Sequence, residues 1–359
     1  MNNYIENWIN AVGYQTKANF SFILRGMRIL PFFYYFCEKI KDMLDHIHIQ
    51  NYRLFKDLKI DKLAQVNLIA GKNNTGKTAL LEALRISESD SEGVGTVVNN
   101  IIYNRGGWQY ENRDREAFLS LFYEKENTKT SQILINYKRL GLHKNVDGQV
   151  LMFVSHNKPD KEAYTIRFGK AAGYTNPKDN VFYIAFNADT SRFIDYFDKI
   201  VLNNLEQEVI EILQIINPKI TNYKVLAANK EIQVEYFGTF RPIKEEGDGL
   251  KRLLIIASSL VLSKDNILLI DEFEVGLHHS IQEQLWDIIF KYANKWNIQV
   301  FATTHSQDTV ENFYYVANKS ENKGKGQYFT LNKKGENIVA VDYDMEEMKL
   351  ALETNLEIR

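Results

Sequence analysis

From residue 46 onward the apolar positions fall into short runs broken by polar turns. Ile47 and Ile49 alternate with His46, His48 and Gln50, and Tyr52, Leu54, Phe55, Leu58 and Ile60 follow, which predicts two antiparallel strands. Residues 66–70 read as a short buried strand and residues 79–86 as the start of a helix. Residues 87–107 are rich in Ser, Gly, Asp and Asn and predict a mobile loop. Strands are expected over 133–137, 150–154 and 164–168, and a better-buried one over 181–186. Apolar residues at helical spacing from Phe193 to Ile216 predict one or two helices, which Asn217-Pro218 ends. A hairpin around Asn229 follows. The apolar run 253–262 is long enough for a helix, and 266–270 and 298–302 read as strands buried on both faces. Ile281, Leu285, Ile288, Ile289 and Tyr292 mark a helix between those two strands. A hairpin around Lys334-Gly335 and a short helix over 346–352 close the chain.

Residues 1–42 do not share this pattern. Their apolar stretches are interrupted by Arg25, Arg28 and Pro31, and they contain neither an uncharged run of spanning length nor the order of segments of a signal peptide. They are expected to be an extension outside the fold, with Met43 an alternative first residue and 43–359 the folded unit.

Composition narrows the classes. A chain of 359 residues with 45% apolar content can bury one large α/β core or a core with a lobe. A net charge of -2 neither supports nor excludes nucleic acid, because a local basic groove does not show in a sum. The single cysteine, Cys37, excludes an internal disulfide and any cysteine-based zinc or iron-sulfur site, and the expected compartment is the cytoplasm.

The candidate chemistry lies at the ends of the buried strands. Gly71-Lys72-Asn73-Asn74-Thr75-Gly76-Lys77-Thr78 fits G-x-x-x-x-G-K-[ST] between a strand and a helix. Its glycines let successive backbone N–H groups and the helix N-terminus face one anion. Lys77 is placed to reach the outer phosphates of a nucleotide, and the Thr78 hydroxyl to ligate magnesium. The strand 266–270 delivers Asp271 and Glu272 at its C-terminal end, where parallel sheets bind ligands. Asp271 is expected in the magnesium shell and Glu272 as the base that polarises an attacking water. The strand 298–302 runs through Thr303 and Thr304 to His305, a candidate γ-phosphate contact. Gly247-Asp248-Gly249 opens the apolar helix and reads either as a plain turn or as a second anion site. His278 and His279 are neighbours that point apart, so they suit positioning or capping rather than metal binding.

Taken in order, these segments resemble the ABC-type ATPase heads of the RecF, SMC and OLD (overcoming lysogenisation defect) group, and most of all the bacterial AAA family ATPases that consist of such a head alone. The resemblance covers about residues 44–359. It implies a P-loop NTPase of α/β class: an ABC-ATPase-like mixed sheet with N-terminal antiparallel strands and a helical lobe or insert over about 87–245. It makes 71–78 the Walker A loop, Asp271 and Glu272 the Walker B pair, Gly247 and Gly249 the signature, 274–278 the D-loop and His305 the switch histidine. ATP and Mg2+ are the implied ligands, held between two heads that meet face to face in a homodimer or an assembly of dimers. The signature departs from the usual pattern, with Gly247 where a serine is expected and Asp248 after it. No Q-loop glutamine is placed, and Gln109 is offered only as a guess.

Length selects within the group. No sustained heptads separate the cradle from Gly247, which leaves no room for coiled-coil arms, and too little chain follows His305 for a TOPRIM nuclease domain. The leading expectation is an ATPase whose dimerisation controls a separately encoded, nuclease-like effector in antiviral defence. The alternatives are a RecF-like clamp that closes on DNA and the ATPase of a membrane transporter, with no membrane contact expected from the chain itself.

Overall fold

The computed structural model describes residues 43–89, 93–104, 120–123, 132–144, 150–156, 164–167, 181–185, 190–226 and 231–354. The chain divides into two units, 1–42 and 43–359, and every described residue belongs to the second. The expected extension and Gln109 therefore lie outside the described residues.

The chain order is β1 (Ile47–Tyr52), β2 (Phe55–Ile60), β3 (Val66–Ala70), α1 (Lys77–Glu88), α2 (Val94–Asn104), β4 (Gln132–Ile135), β5 (Lys138–Lys144), β6 (Val150–His156), β7 (Tyr164–Arg167) and β8 (Val181–Ile184). There follow α3 (Thr190–Leu202), α4 (Glu206–Ile216), β9 (Ile220–Leu226), β10 (Glu231–Tyr236), β11 (Thr239–Pro242), α5 (Asp248–Leu262), β12 (Ile267–Ile270), α6 (His279–Trp296), β13 (Gln299–Thr303), α7 (Gln307–Ala317), β14 (Gly326–Lys334), β15 (Asn337–Tyr343) and α8 (Met345–Glu353).

Three sheets result. The antiparallel sheet runs β2-β1-β4-β5-β6-β7, and a small antiparallel one runs β11-β10-β9. The mixed sheet runs β15-β14-β3-β13-β12-β8, parallel from β14 to β8 with an antiparallel edge at β15. Period two explains its two cores. Leu68, Leu268, Ile270, Val300 and Ala302 face a layer containing α3 to α7, while Ile69, Ile267, Leu269 and Phe301 face α1, α2 and the antiparallel sheet. With both faces covered, the strands must be apolar throughout, and β3, β12 and β13 are buried at every position. Asn67, the polar residue inside β3, meets this cost by donating to Ala64 O (2.7 Å) and Val300 O (3.2 Å) and accepting from Ala64 N (2.8 Å).

Three sequence expectations change. The loop expected over 87–107 contains α2, whose Val94, Val97, Val98 and Ile101 are buried against α1 and the antiparallel sheet. Those four residues have helical spacing, and the Gly, Thr and Asn residues between them concealed it. β5 and β11 were not expected, because Lys138, Arg139 and Lys144 in one and Arg241 and Pro242 in the other weaken the apolar pattern. Lys138 is nevertheless buried, with its ammonium donating to Ile86 O at 2.9 Å and to Ser89 O at the C-terminal end of α1.

Candidate functional site

The loop between β3 and α1 closes because two of its positions exclude a side chain. A Cβ at Gly71 would lie 2.7 Å from both Leu331 O and Thr75 Oγ1, and one at Gly76, where φ is 96°, would lie 2.7 Å from the Phe55 ring. Thr75 Oγ1 donates across the loop to Lys72 O at 2.9 Å, while Lys72, Asn73 and Asn74 are exposed. Lys77 is buried, and its ammonium donates to Gly71 O at 2.6 Å and Lys72 O at 3.1 Å. Burial pulls the Lys77 ammonium below the usual lysine range, and the charges of Glu274, Asp271 and Glu272 oppose that pull. A cation stored on carbonyl oxygens, above the open N-terminus of an α-helix, is a site arranged for a polyanion.

β12 and β13 bring their polar ends to the same place. Asp271, 1% exposed, is bonded at both carboxylate oxygens. Thr303 Oγ1 donates to Oδ1 at 2.7 Å, and Thr78 Oγ1 and Tyr183 OH donate to Oδ2 at 2.9 Å and 3.3 Å. Thr303 Oγ1 also accepts from the Glu272 N–H at 2.9 Å. Glu272 itself adopts φ 48°, a left-handed conformation that non-glycine residues seldom hold. Burial raises its carboxyl above the usual range, with the neighbouring Asp271 charge next in importance and His305 opposing. The turn is held from beneath by Arg252 of α5, whose guanidinium donates to Ala185 O (3.2 Å), Asp271 O (2.9 Å) and Glu272 O (3.0 Å).

His305 and Glu274 sit side by side, with Glu274 Oε1 2.9 Å from His305 Nδ1. Gly247 precedes the first residue of α5, and Gly249 leans on the following turn, a Cβ there lying 3.1 Å from Gly276 O. His278 caps α6, its Nδ1 accepting from Ser280 N at 3.3 Å. The hydrogen bonds thus join Thr78 and Asp271, with Lys77 beside Thr78 in the first turn of α1. Gly249 lies against the turn that holds Gly276 instead, and nothing lies within 4 Å of a Cβ placed at Gly247. Three contributors were not singled out in the sequence. Tyr183 was only one apolar position in a buried strand, Arg252 only the last charge before an apolar helix, and Glu274 only the first residue of the D-loop segment.

Among the described residues no group of three or more His, Cys, Asp or Glu side chains could hold a metal. Magnesium at phosphate sites keeps waters and phosphate oxygens and needs only one or two protein ligands. The Thr78 hydroxyl and the Asp271 carboxylate, both hard oxygen donors in hydrogen-bond contact, fit that demand.

A mixed sheet buried on both faces, a glycine cradle before a helix and an acidic strand end in contact with the helix's first turn mark a P-loop ATPase. The chain belongs to the family described as "AAA domain, putative AbiEii toxin, Type IV TA system", which matches residues 66–311. It is 24% identical over 367 residues to the "ATP/GTP phosphatase" of Helicobacter pylori, a match covering 87% of this chain and 98% of that protein. Among solved structures it is similar to the Smc head domain with an extended coiled coil bound to the C-terminal domain of ScpA from Pyrococcus furiosus. That match has 11% identity and a TM-score of 0.48, and covers 87% of this chain and 99% of that one. The SMC head domain from Thermotoga maritima matches at 10% identity and a TM-score of 0.45, covering 84% and 100%. No helix among the described residues is long and apolar enough to cross a membrane.

Proposed function

We propose that this ATPase binds ATP with magnesium in the Gly71–Thr78 cradle, hydrolyses it with Glu272 as base, and assembles head to head around the bound nucleotide. The observation that carries this reading is the placement of Asp271, fixed at both oxygens by Thr78 and Thr303, directly before a strained Glu272. Magnesium, held by Thr78 and Asp271, would supply charge neutralisation at the phosphates. Lys77 leaves its two carbonyl partners for the β- and γ-phosphates, since a charged acceptor attracts an ammonium more strongly than a peptide carbonyl. The Glu272 carboxylate takes a proton from water as the water oxygen bonds to the γ-phosphorus. The bond from that phosphorus to the bridging oxygen breaks, leaving ADP and phosphate. A carboxyl raised by burial is the stronger base, which suits Glu272 to this step. His305 contacts the γ-phosphate, and Gly247 and Gly249 of the facing copy complete its surroundings through backbone N–H groups.

The cycle of assembly and hydrolysis controls a separately encoded, nuclease-like effector in phage defence. The resemblance to stand-alone heads supports this, and so does a family description that includes a toxin–antitoxin system. Plaque counts on cells carrying the chain with and without its neighbouring genes test it, and protection by the chain alone would remove the separate effector.

Glu272→Gln tests the core of the reading. Binding of ATP should survive while hydrolysis falls about 100- to 10,000-fold. The trapped nucleotide should yield a stable dimer, or an assembly of dimers, by light scattering with ATP and magnesium, and Gly249→Arg in the same background should abolish it. An unchanged mass on ATP addition would refute the face-to-face mechanism. Assembly that survives Gly249→Arg would reduce Gly247–Gly249 to a turn.

A further inference from the structure

Of the three hydroxyls that donate to the Asp271 carboxylate, two stand at places the motifs account for. Thr78 closes the cradle sequence, and Thr303 ends β13, the strand beside β12. Tyr183 belongs to neither. It lies in β8, the neighbour of β12 on the other side, level with Leu269. Side chains two apart on a strand share a face, so Leu269 and Asp271 point the same way, and Tyr183 packs against the core that holds Leu269. The step from Leu269 to Asp271 is about 6.6 Å along the strand, which a phenol oxygen leaning forward can cover and a phenyl ring cannot. The Tyr183 hydroxyl ends on Asp271 Oδ2 at 3.3 Å, the oxygen that also accepts from Thr78 at 2.9 Å. Its ring is covered by Arg85 of α1, whose guanidinium carbon lies 4.9 Å from the centroid. The helix that carries Thr78 therefore also holds the ring of Tyr183. Phenylalanine would serve that packing equally well, so the hydroxyl needs another explanation.

We propose that Tyr183 is a positioning residue for Asp271: its hydroxyl restrains Oδ2 so that the carboxylate is presented to magnesium in one orientation. A phenol keeps its proton at neutral pH and so donates to a carboxylate. Thr78, Thr303 and Tyr183 are all neutral donors, so together they orient Asp271 without cancelling the charge that attracts a cation. Outer partners of a ligating carboxylate typically contribute about 10- to 100-fold in metal affinity. The Tyr183 contact is the longest of the three, which places its share near the lower end of that range. This inference rests on the reading of Thr78 and Asp271 as the magnesium pair.

The test uses the full chain carrying Glu272→Gln, so that turnover does not disturb the binding equilibrium. Calorimetry measures ATP affinity once with magnesium and once with EDTA, and the ratio of the two is the contribution of the metal. Tyr183→Phe, which keeps the ring and its Arg85 contact, should leave the affinity in EDTA unchanged and weaken the affinity in magnesium about 10-fold. A half-saturating magnesium concentration raised by a similar factor should accompany that loss. Equal tightening by magnesium with and without the Tyr183 hydroxyl overturns the proposal alone. A loss of the same size in EDTA and in magnesium also overturns it, because Tyr183 would then support the cradle as a whole rather than the metal carboxylate. If magnesium fails to tighten ATP binding even with Tyr183 intact, the magnesium reading of Thr78 and Asp271 falls, and the proposal falls with it.

Discussion

Arg252→Met separates what the guanidinium beneath the Asp271–Glu272 turn does for stability from what it does for catalysis. Methionine retains much of the aliphatic stem, so the change removes chiefly the three hydrogen bonds to Ala185 O, Asp271 O and Glu272 O. A hydrogen bond from a charged donor contributes about 1.5–3 kcal/mol, so three at the low end contribute about 5 kcal/mol. Burial of the charge works against this. Desolvation pulls the Arg252 guanidinium down to about 10, although the Asp271, Glu274 and Glu272 charges push the other way. A base with a folded pKa below its unfolded one destabilises the fold at every pH beneath the folded value, and the penalty fades only as pH rises through about 10. At neutral pH that penalty is about 3 kcal/mol, and methionine relieves it. The net loss is therefore about 2 kcal/mol, a melting shift of a few degrees. Hydrolysis should suffer more, because Glu272 is held at φ 48° with its carbonyl in that grip. Release of the turn by about 1 Å corresponds to about 100-fold in turnover. Thermal melting, ATP binding by calorimetry and steady-state hydrolysis measure the three quantities. Arg252→Lys, a point donor that cannot span three carbonyls, should restore little. A variant that melts early but turns over at the wild-type rate would show that Arg252 serves the fold alone.

Two further outcomes are expected. Lys77→Ala should lose ATP binding or turnover, because the phosphates lose the cation that the loop stores for them; wild-type hydrolysis would refute the site assignment. A chain beginning at Met43 should melt and hydrolyse ATP like the full chain, since residues 1–42 and 43–359 divide as two separate units; a large fall in melting temperature would make residues 1–42 part of the fold.

The parts of this protein that repeat a short-range pattern were legible in the chain itself. The run Gly71 to Thr78 encodes its own geometry, because the glycines set the backbone and the following apolar spacing sets the helix. The strand ending in Asp271-Glu272 and the one ending near His305 follow from mostly apolar runs, which in a sheet covered on both faces place most polar residues at the ends. The hairpin at Lys334-Gly335 and the terminal helix are equally local, and the latter is fixed by a capping box between Asp344 and Glu347. Tertiary structure decided the contacts that join distant segments. Whether Thr303 supports Asp271, whether Tyr183 reaches the same carboxylate, and whether Arg252 grips the turn all depend on strand order and register, which pair β12 with β8 on one side and β13 on the other. The Glu274–His305 contact is of the same kind, since a hydrogen bond from a backbone N–H to a side chain remote in sequence leaves no periodicity behind. α2 went unread for a related reason: its polar residues resemble a loop, and only burial of Val94, Val97, Val98 and Ile101 against other elements makes it a helix.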